Sequence, residues 1–290
     1  LSTRLDRTEN GQTPIVNISK PNTAGLSHNV FSKYNVDHNG ILINNASTMG
    51  ISQVEKHRYM KNPNLQDRTA SKILFSVSGT GASRLEGYSE IVGDAAHLMV
   101  SNPNGIYING AGFINVPTLG LTTGTMTDVN GQIYSDINTG TVEFGDHGLD
   151  LSGVDYAAIL SRSYHQVGAI TNGNIVDIIV GSNTVRMGEP DSTLEDSKDP
   201  VGTLDAVSLG SIYANTIFVK STDQGVGVHS EGVLLAENGE LELSANGDLI
   251  YNDLIAKNDI TVNTSNNLES KGTTYSEDGQ VSISGDHVVL

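Results

Sequence analysis

The sequence predicts an all-β chain wound as a parallel β-solenoid. Three observations carry that expectation. The first is a repeat in the C-terminal third: Ala214-Asn-Thr-Ile-Phe-Val219, Glu237-Asn-Gly-Glu-Leu-Glu-Leu243, Lys257-Asn-Asp-Ile-Thr-Val262 and Asp278-Gly-Gln-Val-Ser-Ile283. Each segment has a turn signal followed by two apolar residues two apart, and the first apolar residues, Ile217, Leu241, Ile260 and Val281, lie 24, 19 and 21 residues from one another. That spacing suits one winding of a solenoid. The second is turn chemistry: 32 Gly and 27 Asn among 290 residues, both tolerant of positive φ. The third is the near absence of Ala/Leu/Glu/Lys-rich stretches long enough for helices.

In the repeat, period-2 alternation points Ile217/Val219, Leu241/Leu243, Ile260/Val262 and Val281/Ile283 to one side. Thr216, Glu240, Glu242, Thr261, Ser282 and Ser284 go to the other. One winding cannot bury its own inner face, but stacked windings line these residues into a continuous core. A β-sandwich shares the alternation. It would call for two-residue hairpin turns rather than a period near 20 residues.

From the N-terminus, residues 1–45 carry good strands, Pro14-Ile-Val-Asn-Ile18 and Gly40-Ile-Leu-Ile43, without the repeat. An open solenoid end exposes core and unpaired strand edges. Residues 1–45 are therefore expected to form an N-terminal β cap, with windings over 46–290. Residues 51–75 hold Lys56, Arg58, Lys61, Arg68 and Lys72 and are expected to project from the windings. In Asn102-Pro-Asn-Gly105, Pro103 presets φ and Gly105 follows with φ > 0, a rigid turn before a core strand, Ile106-Tyr-Ile108.

Further along, candidate strands are Gln132-Ile-Tyr134, Gly148-Leu-Asp-Leu151, Ile175-Val-Asp-Ile-Ile-Val180 and Ser211-Ile-Tyr213. Residues 155–164 suit a short helical turn or a strand equally. Residues 191–200, polar and acidic, read as a loop outside the windings. Leu1 is no initiator Met, and the last residues stop inside a strand pattern, so the chain is expected to be a fragment of a longer protein.

Composition excludes several functions. With 16 Lys+Arg against 33 Asp+Glu the net charge is −17, which disfavours nucleic-acid binding and favours a soluble monomer. Zero Cys removes disulfides, thiolate metal sites and cysteine nucleophiles. The sequence shows neither a phosphate-cradling motif nor metal-like pairing of its eight His, so no nucleotide, metal or other cofactor is expected. No apolar run approaches the roughly 20 residues of a membrane-spanning helix.

Several segments in order resemble a known family: Gly25-Leu-Ser-His-Asn29, Asn35-Val-Asp, Asn39-Gly-Ile-Leu-Ile-Asn-Asn45, Asn62-Pro-Asn-Leu65, Asn102-Pro-Asn-Gly-Ile106, Gly112-Phe-Ile-Asn115 and Leu121-Thr-Thr-Gly124. Together they look like the N-terminal secretion domain of two-partner secretion exoproteins, a group that includes filamentous haemagglutinin, large haemolysins and contact-dependent growth inhibition toxins. The stretch from Gly25 to Asn45, with Leu160-Ser-Arg162 and Ser211-Ile-Tyr-Ala-Asn215, most resembles the growth-inhibition exoproteins. Some relatives carry a Cys pair where Ile108 and Ala111 stand here.

The resemblance implies a right-handed parallel β-helix with a cap and extra-helical elements. It also implies recognition by the periplasmic POTRA domains of a TpsB-type outer-membrane β-barrel transporter. Export through the periplasm of a Gram-negative bacterium to the cell surface or medium follows. The transporter-recognition or folding motif would be Asn62, Pro63, Asn64, Leu65 and Asn102, Pro103, Asn104, Gly105, Ile106. The cap motif would be Gly25, Ser27, His28, Asn29 and Asn35. Of the two turns, Asn62–Leu65, in the projecting segment, is the better placed to touch a partner.

Two other functions compete. β-Helices also host polysaccharide lyases, for which the candidate acids are Asp146 beside His147, Asp150, Asp155 and Asp177. Single acids in turns or alternating strands are more often solvated, and the chain is not expected to be an enzyme. A glycan-binding adhesin would use the exposed Asn, Ser and Thr of the windings.

Overall fold

The computed structural model describes residues 2–54, 56–188, 191–198, 200 and 204–290. Leu1, Glu55 and Asp199, which belong to the expected cap and projecting segments, lie outside the described residues. Every regular element among those described is a strand, and no helix is long and apolar enough to cross a membrane.

The chain is a right-handed parallel β-helix, as expected. Each full winding lays one strand on each of three faces. On the second face the parallel ladder runs from Leu26–Phe31 through Lys72–Val77, His97–Ser101, Thr118–Thr122 and Tyr156–Ser161. It continues through the later parts of Ile170–Val180 and Ile212–Ser221 to Leu241–Ala245, Ile260–Thr264 and Val281–Ser284. The first face starts with Pro14–Asn17, Ile41–Asn45 and Tyr88–Gly93. The third includes Ser83–Leu85, Ile106–Ile108, Thr141–Phe144 and Ser163–Gln166.

The register shows why the repeat was readable. Ile217 pairs with Leu241, Leu241 with Ile260, and Ile260 with Val281. Val219, Leu243, Val262 and Ile283 form a second row. The first three residues of each row are buried inside one continuous core, and Ile283, in the last winding, packs against it half-exposed.

Two insertions build a separate layer. Thr125–Val129, Gln132–Asp136, Asn183–Met187 and Thr193–Ser197 form a four-stranded antiparallel sheet. Its apolar side, Ile133, Val185 and Met187, packs on outward residues of the second face, among them Leu74, Met99, Leu160 and Ile179. Strands beneath it are therefore buried on both sides, as in Tyr156–Ser161, whereas uncovered Leu241–Ala245 alternates buried and exposed positions. A two-stranded hairpin, Gly50–Ile51 with Arg58–Tyr59, covers the first face, and Tyr59 packs on Ile15, Leu42 and Val92.

Several expected boundaries move. Residues 51–75 do not project throughout: Lys72–Val77 is a strand of the second face, with Ile73 and Phe75 in the core. Basic charge misled, because Lys72 sits at the strand's start while the apolar residues after it fill a winding. Within residues 1–45, three strands already make parallel rungs, and only Arg4–Arg7 closes the end, antiparallel to Pro14–Asn17. Of residues 191–200, those described from 191 to 198 lie outside the windings but contain the strand Thr193–Ser197 rather than only loop. Gln132–Tyr134 belongs to the extra-helical sheet, not to a winding. The ambiguous 155–164 segment resolves into the strands Tyr156–Ser161 and Ser163–Gln166.

Truncating an inner-row residue removes packing that no other winding can replace. Leu243→Ala is expected to lower unfolding free energy by about 2–5 kcal/mol. Glu242→Ala, its exposed neighbour, is expected to stay within about 0.5 kcal/mol. Urea denaturation of the two variants checks the difference.

Candidate functional site

The two Asn-Pro-Asn turns share one local geometry. The Oδ1 of the first Asn accepts the backbone N–H two residues on: Asn64 N–H to Asn62 Oδ1 at 2.9 Å, and Asn104 N–H to Asn102 Oδ1 at 3.0 Å. The backbone then closes the turn, Leu65 N–H to Asn62 C=O at 3.4 Å and Gly105 N–H to Asn102 C=O at 3.1 Å. Pro in the second position presets φ for this shape. Gly105 takes φ +121°, a value that strains any L side chain.

Both turns use their amides to clasp neighbouring strands. Asn62 Nδ2 donates to the carbonyls of Ile18 (3.0 Å) and Asn44 (2.9 Å). Asn64 Nδ2 donates to those of Ser2 (3.0 Å) and Ile18 (3.1 Å). Leu65 enters the core at 1% exposure. The first turn thus ties the initial rung to the next. Asn102 Nδ2 donates to Gly81 C=O (3.0 Å) and Ser83 Oγ (2.9 Å), and Asn104 Nδ2 to Gly79 C=O (2.7 Å). Ile106 follows as a core residue.

Asn62, Asn64 and Asn102 are buried, while Pro63 and Asn104 are exposed and Pro103 is half-buried. The expectation that Asn62–Leu65 presents itself on a projecting arm does not hold in the folded chain. Its amides are used up internally, and Leu65 needs the core.

The cap residues form a second polar knot. Gly25 takes φ +86° and its carbonyl accepts Ser71 N–H at 3.0 Å. Ser27 Oγ donates to Ser19 C=O at 2.7 Å. Asn29, fully buried, accepts Ser19 N–H at 2.9 Å and Thr3 Oγ at 2.6 Å, and donates to Ser27 C=O. His28 faces outward, its ring 3.0 Å from Ser76 Oγ, and partial desolvation at that contact lowers its pKa. Asn35 Oδ1 accepts Arg84 N–H at 2.9 Å. Asn45, at the end of the Asn39–Asn45 motif, bridges the Ala70 and Asp94 carbonyls at 2.9 Å each and accepts Ala70 N–H.

Sequence reasoning missed two carboxylates. Asp223, buried, accepts Arg162 Nε–H and Ser182 N–H at 2.8 Å each, and Arg162 Nη1 donates to Asn138 C=O. This ties both insertions of the extra sheet to the windings. Glu90, also buried, accepts Gln53 N–H at 2.6 Å and Val54 N–H at 3.3 Å, fastening the hairpin turn. Each partner is about 40 or more residues away in sequence, so no local pattern marks them.

The acids proposed for lyase chemistry do not converge. Asp150 on the first face is satisfied by Ser152, Tyr88 and Asn172. Burial pushes its pKa up, but those hydrogen bonds outweigh it and hold the carboxyl at about 2. The same carboxylate pushes the Tyr88 hydroxyl up to about 12. Asp177 lies on the second face, where burial raises its pKa and Tyr156 donates to it at 2.7 Å. His147 Nδ1 lies 3.1 Å from Asn109 Oδ1. The backbone carbonyl of Asp155 accepts from Asn174. No group of three or more His, Cys, Asp or Glu able to hold a metal occurs among the described residues.

Removing a clasping amide strands buried carbonyls. Asn62→Ala and Asn102→Ala are each expected to cost about 1–3 kcal/mol, read by thermal or urea unfolding. The carboxylates predict two opposite pH slopes. Asp150, depressed from 3.8, contributes stability that is present above 3.8 and is lost as pH falls through about 2. Glu90 is raised above 4.5, chiefly by burial, so its contribution is full below 4.5 and is lost as pH rises through its folded value. Unfolding midpoints of Asp150→Asn and Glu90→Gln across pH 2–7 check both signs.

Comparison with known proteins agrees with this geometry. The family model for the TPS secretion domain matches residues 2–251. The chain is 38% identical over 263 residues to a tRNA nuclease CdiA of Yersinia mollaretii, covering 89% of this chain and 9% of that protein. It is 34% identical over 252 residues to filamentous hemagglutinin of Bordetella pertussis, covering 83% and 7%. The chain thus spans less than a tenth of these relatives. The crystal structure of the filamentous hemagglutinin secretion domain superposes with a TM-score of 0.79 at 30% identity, covering 99% of this chain and 97% of that one. The clasped Asn-Pro-Asn turns, the parallel windings and these matches together place the chain in the TPS secretion domain family of CdiA- and filamentous hemagglutinin-like exoproteins.

Proposed function

We propose that this domain commits a longer exoprotein to export through a TpsB-type outer-membrane barrel of a Gram-negative bacterium, whose periplasmic POTRA domains hold the chain before it folds. The domain works as a monomer without nucleotide, nucleic acid or catalysis of its own. The chain crosses the barrel unfolded, and windings then form outside, each on the last. The parent, by its similarity to CdiA proteins, is a contact-dependent growth inhibition toxin.

One observation carries the reading of the motifs. Asn62, Asn64, Leu65, Asn102 and Ile106 are buried in the folded domain, so no partner reaches them there. Their clasps instead join the earliest rungs. We assign them to nucleation of the first windings, where a partner strand held by edge pairing is released into the growing helix.

Single Ala substitutions at Asn62, Asn64, Asn102 and Asn104 test this by two readouts: secreted parent protein, and refolding rate of the purified 290-residue chain. The three buried positions are expected to lose both together, and exposed Asn104 to lose less of each. Export lost at an unchanged refolding rate assigns the residues to transporter recognition instead. Unchanged export at all four removes them from the mechanism.

A further inference from the structure

The hairpin over the first face has an outer side that the fold leaves bare. Ile51 pairs with Arg58 and Gly50 with Tyr59. Tyr59 turns inward onto the windings, so alternation turns Met49, Ile51, Arg58 and Met60 outward. Met49, Ile51 and Met60 are 59%, 65% and 60% exposed. Three large apolar side chains this open on so small an element are unusual for a surface that serves only solubility.

Beside the hairpin runs a groove of about 640 Å³ that reaches the closing strand Arg4–Arg7. Arg4, Arg7, Arg58 and Lys61 line it, with Asp6 and Glu9 as its acids. Arg4, Arg58 and Lys61 make no ion pair among the described residues. Charge is segregated on a larger scale too. Residues 1–72 hold nine Lys and Arg against five Asp and Glu, while 73–290 hold seven against 28. A net +4 end therefore adjoins a net −21 body.

We propose that this hairpin face and its cationic groove form a docking surface for an anionic lipid bilayer. The cations meet headgroup phosphates, and Met49, Ile51 and Met60 enter the headgroup layer. The acidic body is repelled, so the domain docks by this end. A bilayer fits better than a protein because exposed apolar side chains on the hairpin stand beside a row of cations, which matches the acyl and phosphate layers of an anionic headgroup region. The surface is held firm: Glu90 fastens the hairpin turn, and Asn44 Nδ2 donates to Met60 C=O at 2.9 Å. The proposal does not depend on the nucleation role of the Asn-Pro-Asn turns.

Co-sedimentation of the 290-residue chain with phosphatidylcholine vesicles, with and without phosphatidylglycerol, tests it. Binding is expected only to the anionic vesicles and is expected to weaken with salt. Arg58→Gln and Lys61→Gln are each expected to weaken it about fivefold. A Met49/Ile51/Met60→Ser variant is expected to lose it, and Lys257→Gln, on a remote winding, to leave it unchanged. Inorganic phosphate at matched ionic strength should displace the chain no better than chloride, which separates a bilayer from free phosphate. Thermal melting confirms that each variant is folded. Equal binding to neutral vesicles, or full binding by folded Arg58/Lys61→Gln, overturns the proposal. So does absence of vesicle binding with retention on isolated POTRA domains through the same residues, which makes the surface a protein site.

Discussion

Backbone hydrogen bonding between consecutive windings is the constraint on which the rest of this molecule depends. Each inner strand has its partners in neighbouring windings, at separations of 19 to 48 residues rather than across a short hairpin. No winding satisfies its backbone or buries its apolar side alone. The fold therefore has a direction and a beginning. Whatever completes the first rung sets the register for every later one, because a slip by one residue would turn a whole row of Ile, Val and Leu to solvent.

The polar chemistry is concentrated where that beginning is built. Asn29, Asn45, Asn62 and Asn64 are buried and hydrogen-bonded among the earliest rungs. Asparagine suits this task because one amide both accepts and donates. It can mimic a turn with its oxygen while its nitrogen reaches a carbonyl of another strand. Buried polar knots of this kind are costly when partly satisfied, so they favour a single arrangement over near alternatives.

The extra-helical layers add a second principle. Under the four-stranded sheet the windings abandon alternation and become apolar on both sides. Arg162, Asp223 and Ser182 then tie that sheet to windings distant in sequence. The hairpin is fastened in the same way by Glu90. Both layers are thus rigid parts of the domain, and the chemistry of their outer sides is presented in a fixed orientation.

The sequence by itself determined the inner rows and the turns, because both rest on local chemistry: period-2 alternation for the rows, and Asn, Pro and Gly at φ-demanding corners. The Ile217, Leu241, Ile260, Val281 row was legible before any coordinates, as were the Asn-Pro-Asn motifs. Tertiary structure alone decided what covers what. Residues 72–75 read as the end of a projecting basic segment, since nothing local shows that Leu74 packs with Val185 and Met187. The burial of Asn62 and Leu65, and the pairings of Glu90 and Asp223, join residues about 20 to 60 positions apart. Sequence proximity carries no record of such contacts, because they form only when separate windings are stacked in register.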